Sequence, residues 1–474
     1  MDLSISASKL TISRIFSIII GFAGITIFSQ KLGASGIGKF FLFQATVAVS
    51  GIISDLGVQT AAEKKISGKE DKREFLTASV LLKISTLIIA SFIIFTLKAP
   101  INHFLNLSEI YLLIVGIWLS ELYKTGIKIL NAELRVGETA VLRLWRQVCW
   151  VLGSIIYLLF INISSDGLIL AFLLSYLTSI FWIGAKISIT PGYPTKFHFK
   201  SLFDYAAYSY LAFNLSGEIY NWADTILIGI FLTSAQVGAY EIAWRISGLL
   251  PVISEAIGTT IFAYISKEYS DNNLETIKET ASNSLIPSIL LPVPAFFGVI
   301  YLSDEILTIF FGKEFVMASI PLIILSSEKI FRSVHVIYGH LLSATNEQRI
   351  AGRISILSSA LNLIMNIILI NYIGIIGAAV ATAVSAIINT TLHIYYSNRH
   401  ISLSFPVRDI LWVILSSMIM GILVATVGSI SDIDTGVKLV LIIMFGVLVY
   451  TTLILSRESI RSGAISTVKR LKQT

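Results

Sequence analysis

Cysteine is almost absent from this 474-residue chain; the single one, Cys149, sits inside an apolar segment. A lone cysteine excludes an intrachain disulfide and any thiolate metal cluster, and its plain role is that of a small core residue. Charge is scarce as well. Asp, Glu, Lys and Arg make up 14% of the chain, against roughly 25% in soluble domains, which excludes an ordinary water-soluble protein of this length. Chemical signatures are missing too. There is no H-x-E-x-H metal pattern, no Walker loop and no G-x-S-x-G elbow, so zinc hydrolysis, ATP-driven pumping and serine nucleophilic catalysis have no motif to rest on. No catalytic residue, metal or cofactor is expected, and the chain reads as a protein other than an enzyme.

What is present is apolar length. Hydrophobic residues form 55% of the chain, and runs such as Leu439–Leu453 are apolar on every side, which favours helices over an alternating barrel pattern. The expected fold is an all-α polytopic membrane protein. Counting about 20 apolar residues per crossing gives fourteen spans. The first six cover 9–30, 37–59, 75–97, 109–131, 143–163 and 167–187. The next six cover 209–231, 237–263, 281–303, 315–340, 351–371 and 375–396, and two more cover 409–429 and 436–456.

The net charge of +6 raises a nucleic-acid partner, but the positives gather in alternate loops instead. Glu63–Glu74, the segment Lys186–Lys200, and a tail with Arg457, Arg461, Lys469, Arg470 and Lys472 are basic. The loops between them are nearly uncharged: Thr233–Gln236 carries no Lys or Arg, and Lys98, Lys313 and Lys438 are among the few positives on that side. By the positive-inside rule both termini are cytoplasmic.

The chain also starts over. Shifted by 200 positions, Leu32 falls on Leu232, Ile37 on Val237, Gly38 on Gly238, Ser54 on Ser254 and Asp55 on Glu255. A repeat with polar residues at membrane depth points to a transporter. The longest polar connection, with Pro191, Gly192 and Pro194, divides a six-helix lobe at 1–190 from a second at 209–400. The linker is 191–208, and 401–474 adds two helices and the basic tail.

Charges inside spans are costly and face a cavity or a partner. On the seventh span Asn214, Glu218, Asn221 and Thr225 recur at helical spacing, with Asp224 at the edge of the stripe. Glu218 and Asp224 suit an H⁺ or Na⁺ site, or else interhelical hydrogen bonding. Glu241 and Arg245 stand four apart and can pair along the eighth span; the alternative is that Arg245 turns to an anionic ligand. Asp55 and Glu255 fall near cytoplasmic helix ends, where gating or surface roles are expected. The first half is the more basic, with Arg14, Lys83, Lys124, Lys128, Arg143 and Arg146, and the tenth span adds Glu328, Lys329, Arg332 and His335. Lys128 and Arg143 are placed to snorkel toward lipid phosphates. Arg14 and Lys83 are better placed for a phosphate-bearing lipid, whose lost hydration desolvated cations replace.

Several segments resemble the multidrug/oligosaccharidyl-lipid/polysaccharide exporter superfamily, most closely its Wzx-type flippase branch. They are Leu32-Gly33-Ala34-Ser35-Gly36-Ile37-Gly38, Phe311-Gly312-Lys313-Glu314-Phe315, and Ala360–Ser385 with Asn362, Asn366, Gly374, Gly377 and Ala378. The resemblance implies two six-helix lobes around a cavity that opens alternately inward and outward. It also implies a polyprenyl-(pyro)phosphate-linked oligosaccharide as cargo, held by cavity cations, with an H⁺ or Na⁺ gradient resetting the protein. The expected phosphate-binding set is Arg14, Lys83, Arg245 and Arg332; the expected coupling or gating set is Glu218, Asp224, Glu241 and Asp55. A monomer in the cell membrane, with the lipid bilayer as its surroundings, is expected. The rivals are a cation-coupled drug antiporter of the same superfamily, which would use the acidic set for substrate, and a peptidoglycan-precursor flippase.

Overall fold

The computed structural model describes residues 3–68, 70–105, 110–209, 215–431 and 433–461, with side chains from Ser13 onward except over 207–220. Asn214, the Glu218 side chain and the tail residues Lys469, Arg470 and Lys472 lie outside the described residues.

Every regular element among the described residues is helical. The chain runs through α1 (Leu3–Asp55), α2 (Val58–Ile66), α3 (Lys72–Thr96), α4 (Lys98–Leu105), α5 (Ile110–Ala132), α6 (Val136–Phe160), α7 (Ser165–Lys186), α8 (Lys196–Ser209) and α9 (Leu215–Phe231). It continues through α10 (Ser234–Ser247), α11 (Val252–Ser270), α12 (Leu274–Ile289), α13 (Pro292–Phe310), a 3₁₀ turn at Lys313–Ala318, α14 (Ser319–Ala344), α15 (Gln348–His400), α16 (Val407–Ile430) and α17 (Gly436–Leu455). The chain forms two compact units, Met1–Gly238 and Ala239–Thr474.

Nine helical segments among the described residues are long and apolar enough to cross a membrane, and the bent pair α10–α11 makes a tenth. The predicted seventh span, 209–231, takes in residues 210–214, outside the described ones, and its described part is α9; the tenth falls on α14, which is outside that set. Helix α9 has 17 residues, and α14 carries Glu328, Lys329 and Arg332. Two segments are too long for one crossing. Helix α15 has 53 residues, about 80 Å if straight, and breaks at Gly374 (φ 61°, ψ −141°). Helix α1 breaks at Gly33 (φ 67°, ψ −179°). Such backbone geometry is essentially glycine's alone. Beyond Gly374 the chain folds back: Asn362 Nδ2 donates to Thr382 Oγ1 at 3.2 Å, and Asn366 Nδ2 to Asn362 Oδ1 at 3.1 Å. In lipid a polar contact of this kind ties helices together.

Proline placement explains the other breaks. Pro251 caps α11, where the chain bends by 53° from α10. Pro287 lies inside the last turn of α12, which ends at Ile289, and Pro292 opens α13 at its first turn, where a missing N–H costs nothing. Pro406 caps α16.

Aromatic packing fills the first unit. Phe40 stacks on Trp150 with centroids 5.2 Å apart, and meets Phe172 edge-on at 5.8 Å, joining α1, α6 and α7. Gly38 and Gly238, the repeat-related pair, also meet: a Cβ on Gly238 would stand 3.1 Å from the Gly38 nitrogen and 2.2 Å from the Ala34 carbonyl oxygen. The predicted linker 191–208 is largely the helix α8, whose Leu202 and Ala206 are buried against Ala62, Ile66 and Phe75.

Candidate functional site

A buried lysine organises the first unit. Lys83 stands 11 residues into the 25-residue α3, about 16 Å along the helix and near its middle. Its ammonium reaches Glu121 Oε2 of α5 at 2.5 Å and Asp55 Oδ1, at the end of α1, at 2.9 Å. The Lys83 and Glu121 side chains are each 1% exposed. Burying such charges is costly unless they are paired and hydrogen-bonded, and here they are. Gln59 Nε2 donates to Glu121 Oε2 at 2.8 Å, and the Gln59 backbone N–H donates to Asp55 Oδ1 at 3.2 Å, so Asp55 also closes the first turn of α2. Glu121 has a second cation, Lys124 at 2.9 Å, whose side chain is 37% exposed.

Asp55, Gln59, Glu121 and Lys124, with Lys83 behind them, form one wall of a cavity of about 530 Å³, within the range of small-ligand sites (roughly 300–1,000 Å³). Its titratable lining pairs the carboxylates of Asp55 and Glu121 with the cations of Lys124, Lys128, Arg143 and Arg146. Lys128 has its own partner, Glu63, at 2.6 Å. The Arg146 guanidinium lies 4.9 Å from the Tyr176 ring centroid and 5.7 Å from that of Tyr123, a cation–π clamp. Its Nε has no hydrogen-bond partner, and the buried Tyr123 hydroxyl lies against the same guanidinium. An anion entering this cavity meets excess positive charge with donors already in place.

The second unit has its own ionic cluster on α10 and α14. Arg245 Nε lies 3.3 Å from Glu241 Oε2, the pairing the sequence spacing allows. Lys329 Nζ is 2.5 Å from Glu328 Oε2 and sits 3.9 Å over the Trp244 ring. Glu241, Glu328 and Lys329 are all buried, and Arg332, one turn beyond, is half-buried. A separate apolar cleft of about 390 Å³ is lined by Leu290, Pro294, Leu302, Met420, Val424 and Tyr450 among others.

The predicted residues therefore fall in different places. Lys83 and Asp55 meet directly, and Arg245 meets Glu241. Asp55, expected at a gate or surface, is 14% exposed and bonded inward. Arg14 is exposed on α1, and Asp224 is buried on α9. Sequence reasoning passed over Glu121, Gln59, Tyr123 and Tyr176. The signal available for Glu121 was its i, i+3 spacing to Lys124 on an apolar helix, where two opposite charges imply mutual support.

Helices of membrane-spanning length with ion pairs buried at their middle define a polytopic transporter. The chain belongs to the family described as polysaccharide biosynthesis protein, whose pattern matches residues 36–320. It is similar to the probable low-salt glycan biosynthesis flippase Agl15 of Haloferax volcanii, with 41% identity over 99% of both chains. In fold it is similar to the lipid II flippase MurJ in an inward closed conformation, with a TM-score of 0.77 at 20% identity, covering 94% of this chain and 98% of that one. A multidrug resistance MATE transporter of the MOP superfamily aligns with a TM-score of 0.60 at 14% identity, over 82% and 94% of the two chains. The family match and the flippase relative agree with the resemblance read from the sequence, and the fold is the one these two solved transporters share.

Proposed function

We propose that this protein flips a polyprenyl-(pyro)phosphate-linked oligosaccharide from the cytoplasmic to the outer leaflet of the cell membrane, by alternating access, for assembly of a surface glycan. One observation carries the reading: a chain 41% identical along nearly its whole length is named a probable glycan biosynthesis flippase. The cavity chemistry agrees with it. Four cations against two carboxylates suit an anionic headgroup better than the cationic drugs of an antiporter.

In this reading the protein is a transporter rather than an enzyme and works as a monomer with both termini cytoplasmic. Its fourteen spans are two six-helix lobes, 1–190 and 209–400, joined by 191–208, with 401–474 appended. Arg14, Arg245 and Arg332 contribute positive charge to phosphate. Lys83 acts from behind, holding Glu121 so that Lys124 and Arg146 receive the anion. Asp55, Glu218, Asp224 and Glu241 couple the cycle to H⁺ or Na⁺.

The test is reconstitution into vesicles with a lipid-linked oligosaccharide, measuring its arrival at the opposite leaflet with and without an imposed ion gradient. Translocation well above protein-free vesicles supports the reading, and a gradient dependence supports coupling. Translocation at the protein-free rate refutes it.

A further inference from the structure

Helix α8 presents two unlike faces. His198, Leu202 and Ala206, spaced by four, are buried, and the latter two pack on α2 and α3. Its opposite face carries Lys196, Phe197, Lys200, Phe203 and Asp204, all exposed. Phe197 is 64% and Phe203 62% exposed. At 100° per residue Lys196, Lys200 and Phe203 fall within about 60° of one another, with Phe197 about 60° further round. Two bare phenylalanine rings beside two lysines are unfavourable in water and favourable where acyl chains meet headgroups. There the rings enter the apolar boundary and the lysine stems snorkel to phosphate.

The position of α8 fits that boundary. It is tied to the starting end of α3, a membrane-length helix. The Gly192 N–H donates to Thr77 Oγ1 at 2.9 Å, Arg73 Nη2 donates to the Pro191 carbonyl at 3.3 Å, and His198 Nε2 lies 3.5 Å from Asp71 Oδ2. Phe75 at the same end packs edge-on against His198, centroids 4.9 Å apart. The helix is thus fixed at the level where α3 enters the membrane. On the neighbouring α2 and α3, exposed Lys64 and Lys72 stand beside the exposed acids Glu70 and Asp71, so the preference for negative lipid rests on Lys196 and Lys200, with Asp204 the one acid on the outer face among the described residues of α8.

We infer that α8 is a membrane-surface helix whose exposed face, Lys196, Phe197, Lys200 and Phe203, docks on anionic lipid headgroups. The rings supply depth and the lysines supply preference for negative lipid, at about a fivefold change in the docked-to-free ratio per lysine. The inference requires that the chain spans a membrane and is independent of what it transports.

The test uses the full chain in nanodiscs with Cys149→Ser and an apolar fluorophore on Phe203→Cys, which replaces one ring by another. Quenching is read from lipids brominated on their upper acyl chains and from iodide in water, in neutral discs and in discs containing phosphatidylglycerol. The inference predicts quenching by bromolipid, protection from iodide, and a larger bromolipid effect with phosphatidylglycerol. Adding Lys196→Gln and Lys200→Gln should return that effect to the neutral-disc level; size-exclusion of the purified variant checks that it is folded. A label reached by iodide and untouched by bromolipid overturns the docking, and a lysine-free face with undiminished lipid preference overturns the anionic partner.

Discussion

Lys83 Nζ of α3 stands 2.5 Å from Glu121 Oε2 of α5, with both side chains 1% exposed. With Asp55 beside them, three helices meet at one buried ionic point. Replacing the lysine by a residue of similar bulk, Lys83→Met, leaves Asp55 facing an apolar chain and Glu121 with one cation fewer. A loss on the order of 3 kcal/mol is expected, seen as a lower unfolding temperature of the purified protein. Lys83→Met with Glu121→Leu should recover part of it, since a fully apolar replacement removes the stranded charge. Equal stability of wild type and Lys83→Met would contradict the pairing.

Lys124 separates stability from function. It shares Glu121 with Lys83, so Lys124→Ala leaves that carboxylate paired, and its side chain is already 37% exposed. Unfolding temperature should change little. Transport should fall on the order of tenfold or more, the loss of one charge-assisted contact to substrate. A variant that transports normally would remove Lys124 from the anion site.

At Arg146 the planar guanidinium, and not charge alone, is expected to matter. It is held against Tyr123 and Tyr176, and a lysine is a point charge without the stacking plane or the fork of donors. Arg146→Ala and Arg146→Lys should both depress transport, with lysine recovering only a fraction. Full rescue by lysine would reduce the residue's role to its charge.

The turn inside α15 gives a prediction about folding. At Gly374 the backbone adopts φ 61°, ψ −141°, so Gly374→Ala should cost about 1–3 kcal/mol. Asparagine should not rescue it, because this geometry lies outside the left-handed helical region asparagine tolerates. At Gly377 a Cβ would stand 2.3 Å from the Leu369 carbonyl oxygen, a clash with backbone that no rotamer relieves. Both variants should reduce the yield of folded protein in the membrane fraction, Gly377→Ala the more. Normal yields would show that the turn tolerates rearrangement.

Much of the fold was legible because lipid imposes a simple rule: a helix must be long and apolar enough to cross. The breaks at Gly33 and Gly374 were visible as glycines between apolar runs, though not their backbone angles. The Glu241–Arg245 pair was legible because its spacing alone brings the side chains together. The buried centre was only half legible. Lys83 stood out as a charge in a span, but its partners Asp55 and Glu121 are 28 and 38 residues away, and pairing across helices leaves no periodic trace. Tyr123 and Tyr176 drew no notice in the sequence, because only the fold brings Arg146 against them.

The proposed reading by cavity cations of the phosphate on a lipid-linked glycan can be separated from transport in general. It is tested most directly in reconstituted vesicles by comparing a polyprenyl-pyrophosphate-linked oligosaccharide with a neutral glycolipid of the same glycan and chain length. The measurement is made for wild type and for Lys124→Ala with Arg146→Ala. Wild type alone is expected to translocate the pyrophosphate form rapidly, and both proteins to translocate the neutral form slowly. Equal rates for the two lipids, or undiminished transport by the double variant, would contradict it.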